Sequence, residues 1–351
     1  MTLFFHRAKL TFQKTMPKKY KVSILGDGGW GTAIALVNAR RGNETLLWSA
    51  FPDYTQVLDR KRMNEKFLPG IPIPKEVIIT SDLDKAVNFG DILVLAVPAQ
   101  YLRNILFKLK THNLSQKILV SVAKGIEAKT LARPSEIIFS VLNNVNLVVL
   151  SGPSHAEEVA RNIPTLVVVA SKDPKSAKVV QDAFKDLRFR IYVQSDITGV
   201  ELGGALKNII AIGAGVCDGL KLGSNTKAAL LTRGLLEITQ LGVRMGANPN
   251  TFFGLSGLGD LITTCISEYG RNLRVGRELG QGKKIKDIVS SMEMVAEGVE
   301  TTRSAYQLAQ KYGVTAAIIT EIYKMLFEDK DPKQALDDLM GREAHEEMKQ
   351  Y

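Results

Sequence analysis

From Tyr20 to about Ser195, short runs rich in Val, Ile and Leu alternate with amphipathic segments. The runs are KVSILG (21–26), TLLWS (45–49), VIIT (77–80), ILVLAVP (92–98), KILVSVAKG (117–125), LVVLSGP (147–153), TLVVVAS (165–171) and FRIYVQ (189–194). Strands this continuously apolar, separated by helical segments, predict a sheet covered on both faces: a doubly wound, Rossmann-like α/β domain. The pattern leaves open an antiparallel strand among the later ones. After Asp196 the strand signal stops, and the 3.6-residue period predicts helices over 197–217, 225–245, 271–280, 285–291, 299–312, 318–327 and 332–340. The chain therefore divides into an N-terminal extension (1–19), an α/β domain (20–195) and an all-helical C-terminal domain (196–351).

Composition adds boundaries to this picture. The 351 residues are 45% hydrophobic and 23% charged, an ordinary globular mixture with room for two or three cores. No apolar run approaches the ~20 residues that a membrane span needs, so no stable membrane insertion is expected. The formal charge of +10 permits anionic partners. The basic residues are scattered, without a Lys/Arg block or interleaved aromatics, so a solvated basic surface is expected and a nucleic-acid partner is not. Cys217 and Cys265 are far apart and in no metal-like spacing, which argues for a reducing, cytoplasmic setting and against a disulfide framework or a zinc site. The opening MTLFFHRAKLTFQKTMPKKY holds no acid. Its run LFF is too short for a secretory segment, and the stretch reads as an upstream extension with Met16 as a possible start.

The stretch KVSILGDGGWGTAIAL places Gly26, Gly28 and Gly31 in G-x-G-x-x-G spacing, after a strand and opening an apolar helix. In that context the first glycine makes the tight turn, the second lets backbone approach a pyrophosphate, and the third lets helix and strand pack closely. The helix N-terminus offers free N–H groups to phosphate. Dinucleotide binding is the function this motif predicts. The second strand ends TLLWSAFPD, with neither acid nor base at Ser49, Ala50 or Phe51, and Asp53 falls late. The missing arginine leans toward NAD, although Arg40 and Arg41 at the end of the first helix keep NADP open. Phe51 is a candidate for the adenine pocket.

One segment stands apart: VELGGALKNIIAIGAG (200–215), in which Lys207 and Asn208 are the only polar side chains after Glu201. A lysine inside a helix that is apolar all round must be paired or shifted in pKa. Other candidate chemistry sits at strand ends, which face the ligand crevice in such sheets. AVPAQY brings Pro98 and Tyr101 there, SVAKGIE brings Lys124, and LSGPSHAEEVA brings Gly152 and Ser154 at a helix start, where Ser154 reads either as an N-cap or as part of an anion site. His155 follows directly and reads as structural. In the helical domain, Asp260 of GLSGLGDLITTC follows a glycine turn, and Arg271 and Asn272 follow Gly270 at another helix start, a ready phosphate clamp. A dinucleotide site, two lysines, a carboxylate and a phosphate clamp make a kit for reducing a small phosphorylated ketone.

On ILGDGGWGTAIAL, AKGIE, LSGPSHAEEVA, GVELGGALKNIIAIGAGVCDGL, NTKAALLTRGLLE, GLSGLGDLITTC, GRNLRVG and MVAEGVETT, the chain resembles the bacterial soluble NAD(P)-dependent sn-glycerol-3-phosphate dehydrogenases over about residues 20–340. The resemblance implies reduction of dihydroxyacetone phosphate to sn-glycerol 3-phosphate for phospholipid synthesis, with NAD or NADP, by a homodimer. It also implies site roles: Lys207, Lys124 and Asp260 catalytic; Lys124, Gly152, Ser154, Lys207, Asp260, Gly270, Arg271 and Asn272 at the substrate; Gly26, Gly28, Gly29, Trp30, Gly31, Phe51, Tyr101, Lys124, Ala156, Arg271, Val295 and Glu297 at the cofactor. Many bacterial members carry serine where this chain has Gly270, and a basic residue near Phe51. Three rival readings remain: a two-domain dehydrogenase of hydroxy acids, a non-catalytic NAD sensor, and a protein recruited to membrane surfaces by its charge.

Overall fold

The computed structural model describes residues 18–292 and 296–343. The apolar runs become β1 (Lys21–Leu25), β2 (Glu44–Trp48), β5 (Ile78–Thr80), β6 (Ile92–Leu95), β7 (Ile118–Ser121), β8 (Asn146–Ser151), β9 (Thr165–Ala170) and β10 (Phe189–Gln194). They form one eight-stranded sheet in the order β10-β9-β8-β7-β6-β1-β2-β5. Neighbours pair parallel throughout except β8 with β9, where Val149 faces Ala170 and Ser151 faces Val168. The antiparallel strand left open by the sequence is thus β9, and β10 runs with it. A two-stranded hairpin, β3 (Met63–Asn64) with β4 (Leu68–Pro72), was not predicted. Its segments are short and contain proline and glycine, which conceal a strand period.

Burial explains the continuous apolar runs. Val22, Ile24, Leu46, Leu47, Leu93 and Val94 are wholly buried, because helices cover both faces of the sheet. A third core surrounds the helix Ile197–Gly219. That helix starts where Asp196 caps it, Oδ1 accepting from the Gly199 amide at 2.9 Å. The remaining helices begin and end near their predicted positions, and Asp260–Ile266 starts at Asp260, where the sequence places a helix start; the additions are Pro249–Phe253 and a π-helical turn at Leu255–Gly259. The glycines of FGLSGLG hid these two short pieces.

By length and hydropathy alone Ile197–Gly219 is able to cross a membrane, contrary to the expectation from the apolar runs; its apolar window is entirely buried inside the fold. Glu201, Lys207 and Asn208 interrupt the run, yet each is buried. Glu201 also ties this helix to the α/β part. Its carboxylate accepts the Ser135 amide and hydroxyl, each at 2.7 Å, at the start of helix Pro134–Val141, and pairs with Arg133 at 2.5 Å.

Glycines set how closely the buried helix is approached. A Cβ at Gly276 would lie 1.8 Å from the Ile212 carbonyl oxygen, and one at Gly215 would lie 2.1 Å from that of Leu273. Helix Arg271–Gly280 is thereby pressed backbone to backbone against Ile197–Gly219. Gly203 meets the Ser256 carbonyl and Gly204 meets the Ser151 hydroxyl in the same manner. Because backbone cannot swing aside, Gly276→Ala is expected to destabilise the protein by at least ~2–3 kcal/mol, at the upper end of overpacking costs. Thermal denaturation checks this: a drop of at least roughly 3–4 °C is expected for a chain of this length, and an unchanged midpoint would refute the close-crossing account.

Candidate active site

A cleft of about 640 Å³ opens at the carboxyl ends of β1, β6 and β7. Its floor and one wall come from the sheet: Gly26, Gly28, Gly29, Trp30, Gly31, Phe51, Tyr101, Lys124, Ser154 and Ala156. The other wall comes from the helices: Lys207, Asp260, Gly270, Arg271, Asn272 and Glu297.

At the seam lies one carboxylate between two ammonium groups. Lys207 donates to Asp260 Oδ1 at 2.7 Å and to the Thr264 hydroxyl. Lys124 donates to Asp260 Oδ2 at 2.6 Å and to the Gly152 carbonyl at 3.0 Å. Lys207 and Asp260 are 5% and 2% exposed, so water does little to screen them. Each partner comes from a different place. Lys124 stands just past β7, Lys207 sits midway along the buried helix, and Asp260 begins Asp260–Ile266. The tight turn before Asp260 depends on Gly257, where a Cβ would lie 2.1 Å from the Phe252 carbonyl oxygen.

The environment tunes these groups. Burial lowers the Lys207 pKa most, Asp260 opposes it and Lys124 adds to it, leaving the group at about 8. Burial pushes the Asp260 carboxyl up, but Lys124 and Lys207 outweigh it and hold it below its ordinary value. Burial raises Glu297, partly offset by Arg271 and the two lysines. Burial also lowers His155, with Lys207 reinforcing it. The Lys124–Asp260–Lys207 bridge carries two ammonium groups to one carboxylate, with Arg271 and Glu297 beside it and Glu157 also lining the cleft.

The glycine loop fits a dinucleotide. A Cβ at Gly31 would lie 2.0 Å from the Gly26 carbonyl oxygen and one at Gly26 would lie 2.7 Å from that of Ala96, whereas one at Gly28 would meet nothing within 4 Å. The loop is therefore closed against the protein and open toward the cleft, where backbone can approach a pyrophosphate. Helix Gly29–Arg41 starts there with no side-chain cap and no acid in its first turn, so its N–H groups remain available to an anion. The Trp30 indole N–H is buried there without a partner.

Most residues expected from the sequence line this one cleft. Gly152 does not line it; its carbonyl instead steadies Lys124. Val295 lies outside the described residues. Ser154 is not an N-cap: His155 holds that place, and the Ser154 hydroxyl donates to the Gly152 carbonyl at 2.9 Å. Arg40 is turned away, donating to the Val159 and Ala160 carbonyls at 3.0 and 3.1 Å, and neither it nor Arg41 reaches the cleft. Asp53 does not line it either. Sequence reasoning passed over Thr264, one turn beyond Asp260 and so on the same helix face, Asn208 beside Lys207, and Asp27 inside the glycine motif. Among the described residues no cluster of potential ligands could hold a metal ion.

Comparison with known proteins extends this picture. A sequence model described as the NAD-dependent glycerol-3-phosphate dehydrogenase N-terminus matches residues 21–177, and one described as its C-terminus matches 196–337. A protein of Thermoanaerobacter sp. (strain X514) named glycerol-3-phosphate dehydrogenase [NAD(P)+] is 51% identical over 93% of this chain and 99% of its own length. Its namesake from Lysinibacillus sphaericus is 50% identical over 92% and 96%. The crystal structure of glycerol-3-phosphate dehydrogenase from Coxiella burnetii superposes with a TM-score of 0.89 at 37% identity, over 92% of this chain and 99% of that one. With both halves matched in order along nearly its whole length, the chain belongs to the NAD-dependent glycerol-3-phosphate dehydrogenase family.

Proposed function

We propose that this chain interconverts dihydroxyacetone phosphate and sn-glycerol 3-phosphate, using residues 20–195 to hold NAD(H) and 196–351 to hold and protonate the substrate. The observation that carries this reading is the Lys124–Asp260–Lys207 bridge facing a glycine loop across one cleft. When bound, the reduced nicotinamide supplies the hydride that reaches C2 of the ketone. The chain must then meet the negative charge that grows on the carbonyl oxygen. Lys207, as ammonium, stabilises that charge and delivers its proton to the oxygen. In the reverse direction its neutral amine takes the proton from the hydroxyl. Asp260 aims the Lys207 and Lys124 ammonium groups and keeps them from drifting apart by their mutual repulsion. Arg271 and the amides that follow Gly270 take the phosphate, which fixes C2 against the cofactor. Asn272 steadies that turn by accepting the Gly298 amide at 3.0 Å.

NAD is preferred over NADP in this reading, because the end of β2 offers no base and Arg40 is engaged elsewhere. A homodimer in the cytoplasm is part of the same reading, supported by the family resemblance and by two free buried cysteines.

Three measurements test it. The decisive one is oxidation of NADH and NADPH, separately, in the presence of dihydroxyacetone phosphate; turnover only with a hydroxy- or keto-acid would transfer the chain to another substrate class. Lys207→Met is expected to lose ~10³-fold or more in kcat while keeping cofactor affinity, and the wild-type ketone reduction rate is expected to fall as pH rises through about 8, as Lys207 loses its proton, while alcohol oxidation rises. Near-normal turnover of the variant sinks the acid/base role. Arg271→Ala is expected to raise KM for the phosphorylated substrate roughly 10- to 100-fold, the worth of a charge-assisted bond; unchanged KM and kcat would put the clamp elsewhere.

A further inference from the structure

The glycine loop carries a carboxylate that the mechanism above leaves unused. Asp27 stands between Gly26 and Gly28, is 7% exposed, and lines the cleft together with Ala50 and Phe51. Its Oδ2 accepts from the Ser49 hydroxyl at 2.7 Å, and the Ser49 oxygen accepts the Phe51 amide at 3.2 Å. Ser49 is the first residue beyond β2. These two bonds tie the acid of the loop to the end of the second strand, which is where a dinucleotide fold reads the adenosine ribose. The usual reader is an acid supplied by that strand; here the strand supplies Ser49, Ala50 and Phe51.

Asp27 has capacity to spare. Among the described hydrogen bonds, its Oδ1 accepts from no other residue. Burial pushes its pKa up, against the hydrogen bonds from the Ser49 hydroxyl and from its own backbone amide and the charge of Lys66. A carboxylate has about four lone-pair sites, so one hydroxyl and one amide leave room for a ribose hydroxyl to donate. A 2′-phosphate at the same place would set like charges together in a poorly screened corner.

We propose that Asp27, acting from the glycine loop in place of a strand residue, selects NAD over NADP by accepting the ribose hydroxyl and repelling a 2′-phosphate. The proposal rests on the dinucleotide reading of the cleft. The loop's shape does not depend on the carboxylate. Asn64 Nδ2 donates to the Asp27 backbone carbonyl at 2.7 Å and the Thr32 hydroxyl donates to it at 3.4 Å. Replacing the side chain therefore leaves those restraints in place. The exposed Lys66 then remains as the nearby cation, free of its acidic neighbour and able to attract a phosphate.

The test is calorimetric titration of the full-length chain with NADH and with NADPH, in the absence of any ketone. Wild type is expected to bind NADH at least ~10-fold more tightly, and Asp27→Asn to move the ratio of the two dissociation constants toward NADPH by ~10-fold or more, the scale of one charge-assisted contact. Asp27→Ser provides the same test should the asparagine variant fold poorly. A wild type that favours NADPH, or a variant that weakens both nucleotides by one common factor, overturns the assignment, because a purely structural role moves both constants and leaves their ratio. Titration without ketone keeps this outcome separate from the proposed reaction. A chain that binds NADH but leaves dihydroxyacetone phosphate untouched refutes the substrate and not Asp27, and a chain that binds neither nucleotide refutes both.

Discussion

The Asp260 carboxylate is the constraint around which the two halves of the molecule are arranged. Two ammonium groups cannot be buried side by side without an anion between them, and here each oxygen of that anion takes one lysine. Lys124 belongs to the sheet, Lys207 to the central helix and Asp260 to a separate short helix. Placing them within hydrogen-bond reach therefore requires three elements, distant in sequence, to agree in position. Removing Asp260 would leave two close ammonium groups uncompensated, which costs far more than the bridge itself contributes. The arrangement is thus poor as a stabilising device and well suited to a site that must hold cations ready for a negative charge.

What allows such agreement is close backbone contact. The central helix is approached by the turn carrying Ser256 at Gly203, by β8 at Gly204 and by helix Arg271–Gly280 at Gly215 and Gly276. Each contact lacks a side chain on one side; at Gly203, Gly215 and Gly276 backbone meets backbone, and at Gly204 the Ser151 hydroxyl fills the space. Glycine costs helix stability of about 1 kcal/mol per position, and burial of Ile209, Ile210, Ala211 and Ile212 offsets it. Glu201, reaching the start of helix Pro134–Val141, locks the same helix to the sheet. Lys207 is therefore positioned from both ends of its helix rather than by its own hydrogen bonds alone.

The strands and long helices were legible because their signal is repetitive. ILVLAVP or TLVVVAS offers several residues that all point to the same burial, and a small error at either end changes nothing. The hairpin at 63–72 and the two helical pieces between 249 and 259 were not legible, since their shapes come from proline, glycine and tertiary contact. The site divides in the same way. Lys207 drew attention because a charge in VELGGALKNIIAIGAG demands a partner, and the glycine loop because its spacing has one physical use. That Asp260 would be the shared partner, that Thr264 would join it, and that Arg40 would turn away to the Val159 and Ala160 carbonyls are facts about folding in three dimensions. Asp27 was overlooked for a different reason: in a motif defined by its glycines, the residue between them carries no signal until its hydrogen bond to Ser49 shows where it points.

These placements give the cleft an electrical direction. At the nucleotide end a loop carboxylate, Asp27, is short of donors, while the helix behind Gly28 offers only N–H groups to a pyrophosphate. At the far end the bridge itself holds two ammonium groups, Lys124 and Lys207, to the one Asp260 carboxylate, with Arg271 close by. In the proposed binding mode a neutral ribose lies at the first end and a phosphate dianion at the second, and exchanging the two would place a phosphate against the Asp27 carboxylate. Against groups as buried as Asp27, Lys207 and Asp260 such a mismatch is costly. The order in which two ligands lie along the cleft is thus set by the distribution of charge before any shape is matched. In the proposed reaction the reacting carbon falls between them, beside Lys207, whose pKa of about 8 suits both giving and taking a proton near neutrality.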